Sequence, residues 1–323
     1  MRIVFCGTPD YAVPSLSKLA GAHDIAGVVS QPDQPKGRSK TPAPPPVVAA
    51  ARALGIPNER IFQPRSINKP EIIGALRGLN PDILCVIAYG NILKKEALEI
   101  GRYFPINAHA SLLPKYRGAA PIQAALLNGD SQTGVCVMKM EAGLDSGPVL
   151  LRRAIPIEPL ETAGTLHDKL AALSAECFLD ALAQIEHGEF SLDAQDESLA
   201  SYAPKLEKRS GTIDWTQSAE QIERHIRAMT PWPGAWTSAA SADGKFSQRL
   251  RIADAELAPP RDTLPAGTGK VEGAGNNLRL MAGCGNAGVL DISRVQPEGK
   301  REMSAGEFVR GAGKALGVGF VWK

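Results

Sequence analysis

The sequence predicts an α/β protein: a doubly wound, mostly parallel sheet followed by a smaller C-terminal β-barrel of OB-like type. Three observations predict it. In the first two-fifths, short β-rich apolar runs alternate with helix-forming segments, the order that builds a parallel sheet. The run Asp82 to Tyr89 (DILCVIAY) is apolar on both faces, as a strand covered by helices on either side must be. Beyond about Lys205, glycines become frequent and short β-type runs are separated by turn residues, the texture of a small barrel or open sheet.

The elements follow in order. Ile3 to Cys6 is a first strand, closed by Gly7-Thr8-Pro9, and a helix follows from about Ala12 to Leu19. Ile25 to Ser30 (IAGVVS) is a second strand. Val47 to Leu54 and Ile72 to Leu79 read as helices, and Asp82 to Tyr89 as the central strand. Val135 to Met140 (VCVMKM) is another strand, followed by the turn Glu141 to Gly147. Thr165 to Ile185 is a long amphipathic helix, and the polar stretch after it reads as a linker. LRIADAEL, GKVEGA, NLRLMAG and GVLDISRVQ supply strands of the barrel. The expected organisation is therefore a sheet domain over 1–189, a linker over 190–204 and a barrel over 205–323.

Size and charge narrow the function classes. At about 100–200 residues per domain, 323 residues imply two domains, each able to bury a core without staples. The net charge of +2 excludes a polycation, so any nucleic-acid contact must come from local patches. Residues 201–323 carry 17 Lys/Arg against 13 Asp/Glu, which puts the basic surplus in the C-terminal domain. The five cysteines, Cys6, Cys85, Cys136, Cys177 and Cys284, form no C-x-x-C pair, and four sit in apolar runs. They read as buried reduced thiols in a reducing compartment. The N-terminus lacks a long apolar region and a cleavage site, and no stretch reaches the ~18 apolar residues of a membrane helix. The expected location is cytoplasmic. The histidines are scattered, with no pair at ligand spacing, so no metal is expected.

The segment Gln31 to Pro46 (QPDQPKGRSKTPAPPP) has six prolines, three basic residues and no large apolar side chain. Such a segment cannot bury enough surface to order itself. A loop of this length inside a compact domain serves a function or is a solvated linker. Both flanks belong to the same sheet domain, which favours a function.

The chemistry concentrates in INAHASLLPKYRGAAPIQ, residues 106–123. Ligand sites in open α/β sheets lie beyond the carboxyl ends of strands, and this stretch follows the central strand. On an extended segment Asn107 and His109 point to the same face. Asp145 stands in Gly143-Leu144-Asp145-Ser146-Gly147, where glycines let the chain turn tightly beside a ligand. A nitrogen nucleophile attacking a carbonyl carbon creates an oxyanion and an ammonium. An Asn amide can donate to the oxyanion, a His can move a proton near neutral pH, and a carboxylate beside the ring favours its charged form and fixes its tautomer. Each residue alone has a plain structural use, as a core histidine, a turn Asn and a turn Asp.

The motifs together carry a resemblance. MRIVFCGTPDYAVPSL at the start, AYGNIL at 88–93, NAHASLLPKYRGAAPIQ at 107–123, GLDSGP at 143–148, IDW at 213–215 and PWPGAW at 231–236 are similar to the methionyl-tRNA formyltransferase family. The likeness runs from Met1 to about Ser304. It implies a Rossmann-like formyltransferase domain followed by a tRNA-binding barrel. It implies a catalytic trio of Asn107, His109 and Asp145, and a folate pocket lined by Ser111, Leu112, Leu113 and Pro114. Ala88, Tyr89, Gly90, Ile92 and Leu93 would lie against the pterin or formyl arm of 10-formyltetrahydrofolate, the donor cosubstrate. The basic loop with Lys36, Arg38 and Lys40 would enter the acceptor end of initiator methionyl-tRNA. Where the family often carries further basic residues, this chain has Thr41-Pro42-Ala43-Pro44-Pro45-Pro46. No protein partner is implied, and a monomer is expected.

An alternative substrate is a small amine such as an amino sugar nucleotide, which the same trio would serve. The second domain and the basic loop favour tRNA. A non-catalytic nucleic-acid-binding protein would lose a member of the trio, and all three are present. A nicotinamide-dependent dehydrogenase lacks support, because the first strand leads into Gly7-Thr8-Pro9-Asp10-Tyr11 and not G-x-G-x-x-G.

Overall fold

A computed structural model describes residues 1–35, 41–273 and 277–323. The chain divides into two units. The first comprises Met1–Pro121, Gln132–Ile157 and Leu166–Pro204; the second comprises Ile122–Ser131, Glu158–Thr165 and Lys205–Lys323.

The first unit is built on seven strands: β1 (Arg2–Gly7), β2 (Asp24–Val29), β3 (Ile61–Phe62), β4 (Ile83–Ile87), β5 (Ile106–His109), β6 (Gln132–Lys139) and β7 (Val149–Pro156). Their order in the sheet is β7-β6-β5-β4-β1-β2-β3. β3, β2, β1, β4 and β5 pair in parallel, and β6 and β7 run antiparallel at one edge. The central strands are buried along nearly their whole length, which requires apolar residues on both faces. One face is a core of Val4, Cys6, Val29, Leu84 and Val86 with Ile73 and Leu76 from the helix Pro70–Gly78. Alternation sends Ile3 and Phe5 to the other face. The helices Val13–Ala20 and Ala163–His187 bury Leu16, Leu19, Leu170 and Phe178, and the Tyr11 hydroxyl meets the Ser174 hydroxyl at 2.9 Å.

The strand order reverses between β1 and β4, and their carboxyl ends close on each other there. The Thr8 hydroxyl donates to the Tyr89 carbonyl at 2.9 Å, and the Gln31 amide donates to the same carbonyl at 3.3 Å. Gln31 also begins the proline-rich loop, whose flanks form a short antiparallel ladder, Gln34–Pro35 with Pro42–Ala43. The expected RNA-contacting residues Lys36, Arg38 and Lys40 lie outside the described residues.

The stretch expected to be a linker, 190–204, is fastened to the first unit. Asp193 exchanges backbone hydrogen bonds with Val149, and Tyr202–Ala203 pairs in parallel with Arg117–Gly118.

In the second unit six strands close a barrel: β8 (Ala235–Ser241), β9 (Ser247–Leu257), β10 (Thr268–Glu272), β11 (Arg279–Gly283), β12 (Val289–Pro297) and β13 (Gly319–Trp322). The antiparallel order β9-β8-β13-β10-β11-β12 is closed by pairing of β9 with β12, and the short strand Met303–Ser304 adds to the end of β12. Trp215 stacks on Trp322 at 5.3 Å, and Phe320 meets Trp322 edge-on. A helix, Ala219–Met229, starts at a capping box in which Ser218 and Gln221 satisfy each other's backbone N–H. No helix among the described residues is long and apolar enough to cross a membrane.

Phe5 lies fully buried at the centre of the parallel sheet. Phe5→Ala should cost about 3–5 kcal/mol of stability, seen as a lower urea midpoint for the first unit. An unchanged midpoint would contradict the packing described.

Candidate active site

β5 carries Asn107 and His109 on one face, with Ala108 opposite. His109 is buried and Asn107 half-buried. The ring of His109 is gripped from one side, where Nε2 lies 2.9 Å from the carbonyl oxygen of Tyr116. A carbonyl can only accept, so Nε2 bears the proton. That leaves Nδ1 as the nitrogen that gains and loses protons, and Nδ1 faces Oδ2 of Asp145 at 3.6 Å. This separation exceeds a hydrogen bond, and such catalytic contacts commonly tighten only when substrate is bound.

Asp145 arrives from the turn between β6 and β7. The backbone N–H of Gly118 donates to Oδ2 of Asp145 at 2.8 Å. Asp145 has φ 48, Tyr116 φ 61 and Ala88 φ 45. A side chain in this left-handed region costs about 1–2 kcal/mol. Three of the six such non-glycine residues described therefore sit on the loops after β4, β5 and β6. Strain of this kind clusters where function over-determines the backbone. Gly147 closes the turn, and a Cβ there would stand 1.9 Å from the Lys139 carbonyl oxygen.

The structure brings Asn107, His109 and Asp145 into one unit and sets the last two in contact range. The residues expected near folate divide into two groups. Ala88, Gly90 and Ile92 are exposed, and Leu112 and Pro114 half-buried. Tyr89, Leu93, Ser111 and Leu113 are buried. The Tyr89 hydroxyl has no hydrogen-bond partner among the described residues, and burial raises its pKa. The Ser111 hydroxyl donates to the Lys115 carbonyl, and Leu113 packs with Cys136, Met138 and Val149.

Sequence reasoning missed three residues of this region, Arg117, Gln195 and Glu197. Arg117 is almost wholly buried and donates to Glu197 through two bonds, at 2.9 and 2.7 Å, and to Gln195 at 3.1 and 2.9 Å. Glu197 in turn holds the guanidinium charged, and its own pKa is lowered by that bond. Gln195 donates to the carbonyls of Asp145 and Gly147 at 2.8 and 2.7 Å. The one signal was Arg117 amid apolar and small residues, a cation with no nearby acid, since its partners lie about 80 residues along the chain.

Comparison with known proteins identifies the neighbourhood. Residues 1–182 match the family described as formyl transferase, and residues 205–313 match the formyl transferase C-terminal domain. The methionyl-tRNA formyltransferase of Geobacter metallireducens is 42% identical over 320 residues, 98% of each chain. That of Jannaschia sp. is 43% identical over 98% of this chain and 99% of its own. Among solved structures, the sugar 3N-formyl transferase WlaRD, determined with dTDP and 5-N-formyl-THF, superposes with a TM-score of 0.64 at 17% identity, over 93% of this chain and 99% of that one. HypX from Aquifex aeolicus in complex with tetrahydrofolic acid gives a TM-score of 0.59 at 18% identity, over 96% of this chain and 48% of that one.

The grip of the Tyr116 carbonyl on Nε2 has a direct spectroscopic consequence. Neutral His109 should show a protonated Nε2 and a bare Nδ1 in its imidazole ¹⁵N shifts. A proton found on Nδ1 of the neutral ring would contradict the arrangement.

Proposed function

We propose how the site works from one premise: the chain belongs to the methionyl-tRNA formyltransferase family. The enzyme transfers a formyl group from 10-formyltetrahydrofolate to the amino group of methionine on initiator tRNA, a step that supports translation initiation. The observation that carries this reading is 42% identity to a methionyl-tRNA formyltransferase across both units. The pairing of His109 with Asp145 supports the chemistry. Likeness to sugar formyltransferases at 17% identity is a likeness of fold and gives a small-amine substrate no further support.

In this reading the amine attacks the formyl carbon, a C–N bond forms, and the carbonyl electron pair moves onto oxygen. The Asn107 amide donates to that oxyanion without changing its own protonation. His109 takes and returns the proton at Nδ1, and the Asp145 carboxylate stabilises the ring while it is charged. Collapse breaks the bond from the formyl carbon to N10 of tetrahydrofolate. The proton lost by the attacking nitrogen passes through His109 to N10, so charge and atoms balance. Ala88, Gly90, Ile92, Leu112 and Pro114 form the wall for the flat pterin, which needs an apolar slot. Tyr89, Leu93, Ser111 and Leu113 hold that wall from beneath. Lys36, Arg38 and Lys40 contact the tRNA acceptor end, and the barrel adds further tRNA contacts. We take the enzyme to be a monomer working in the cytoplasm, a compartment that suits five buried free thiols.

Two measurements test these roles. With 10-formyltetrahydrofolate and charged initiator tRNA in single turnover, Asn107→Ala should slow formylation by about 10²–10³. His109→Ala and Asp145→Ala should slow it by about 10²–10⁴ with the circular dichroism spectrum retained. A wild-type rate in any of these folded variants would remove that residue from the trio. For the basic loop, Arg38→Ala should weaken tRNA binding, leave folate binding intact, and reduce the slope of log affinity against log salt by about 0.7–0.9. An unchanged slope would leave the loop without phosphate contacts.

A further inference from the structure

We propose that Gln195 is a positioning residue for the reaction: its side-chain amide sets the turn that presents Asp145 to His109. The inference rests on the functional reading above. Gln195 lies in the polar stretch that reads as a linker and supplies nothing to the reacting atoms, yet it touches the backbone of the acidic residue directly. Its Nε2 donates to the carbonyls of Asp145 and Gly147, at 2.8 and 2.7 Å. Its Oε1 accepts from Nε and Nη2 of Arg117, at 3.1 and 2.9 Å. A guanidinium only donates and a carbonyl only accepts, so the amide has a single orientation and both its N–H groups are spent on the turn.

The turn needs such a hold. Asp145 has φ 48, a region that a residue with a Cβ avoids. From the strand side the turn is confined at Gly147, where even a Cβ would collide with the Lys139 carbonyl. Gln195 engages the carbonyls of Asp145 and Gly147 in the same turn. With the backbone fixed in this way, Oδ2 of Asp145 reaches the Gly118 N–H at 2.8 Å and faces Nδ1 of His109. Arg117 and Gly118 are adjacent, so one short segment grips Asp145 at both ends: its side chain through the Gly118 amide, and its main chain through Arg117 and Gln195.

A plainer role for Gln195 would be to anchor Arg117 and the stretch after the long helix. The two roles separate in Gln195→Glu. The carboxylate keeps the acceptors for Arg117 but turns lone pairs towards two carbonyl oxygens. An anchor would survive this change, whereas a positioning residue would not. A protonated Glu regains one donor, so the variant's rate relative to wild type should rise as pH falls.

The experiment uses the full-length enzyme and the variants Gln195→Leu and Gln195→Glu. Both are expected to lower kcat by about tenfold or more, since small misplacements of a reacting group carry large rate costs. KM for 10-formyltetrahydrofolate and for charged tRNA should stay within about threefold. The Gly118 amide proton, followed by NMR, should lose its protection from exchange in both variants, as the bond to Asp145 loosens. Wild-type kcat in Gln195→Glu, a loss confined to KM, or an unaltered Gly118 amide in both would overturn the proposal. If Gln195→Leu does not fold, Gln195→Glu decides alone. The Gly118 measurement needs no substrate, so a wild-type protein that fails to formylate tRNA would refute the functional reading and still leave this inference open to support or refutation.

Discussion

A guanidinium can be buried only if the donors around its rim find acceptors, because a desolvated charge without partners is strongly destabilising. Arg117 imposes that requirement on the first unit. It is the largest of the fully buried side chains, and its acceptors, Gln195 and Glu197, come from a stretch that otherwise has little to bury. Meeting the requirement draws the chain after the long helix back over the sheet, where Ser201 accepts from the Tyr116 N–H and Ala203 pairs beside Gly118. Tyr116 and Gly118 are the residues that hold His109 and Asp145. The ion pair and the placement of His109 and Asp145 are thus two aspects of one local network.

The sheet supplies the other half of the site. The strand order reverses between β1 and β4, and open α/β sheets bind ligands outside the carboxyl ends of the strands at such a point. Ala88, at the end of β4, is left-handed, as are Tyr116 and Asp145. Each of these conformations is unfavourable in isolation, and neighbouring hydrogen bonds compensate for at least two of them: Tyr116 is bonded through its N–H and its carbonyl, and Asp145 through its carbonyl and carboxylate. Hydrogen bonds that hold such unfavourable backbone keep the main chain around His109 and Asp145 in place.

Much of this was legible in the sequence, and the remainder was hidden for identifiable reasons. β4 announced itself because ILCVI is buried on both faces. The long helix was readable from Leu166, Leu170, Phe178 and Leu182 along its inner side. β7 was missed because Arg152 and Arg153 interrupt its apolar run, and its outer half alternates between half-buried and exposed residues. The helix Ala219–Met229 was missed because Glu220, Glu223, Arg224 and Arg227 mask a narrow stripe of Ile222, Ile226 and Met229, although Ser218 and Gln221 marked its start. Asn107, His109 and Asp145 stood out by residue type and by resemblance. Gln195 did not, since a neutral amide in a polar stretch carries no sign that its partners lie 48 to 78 residues away.

The five thiols lead in another direction. All are buried and unpaired, and burial pushes their pKa values up, to about 11 for Cys136 and Cys177 and about 12 for Cys284. At pH 7 a thiol of pKa 11 is ionised at roughly one part in ten thousand, and the thiolate is the species that alkylating agents and peroxides attack. Burial and raised pKa values both slow the reaction of these thiols with such reagents in the native fold. A single cysteine introduced on its surface would take up a fluorophore or spin label by itself, with no native cysteine to remove, which makes the protein ready for distance measurements.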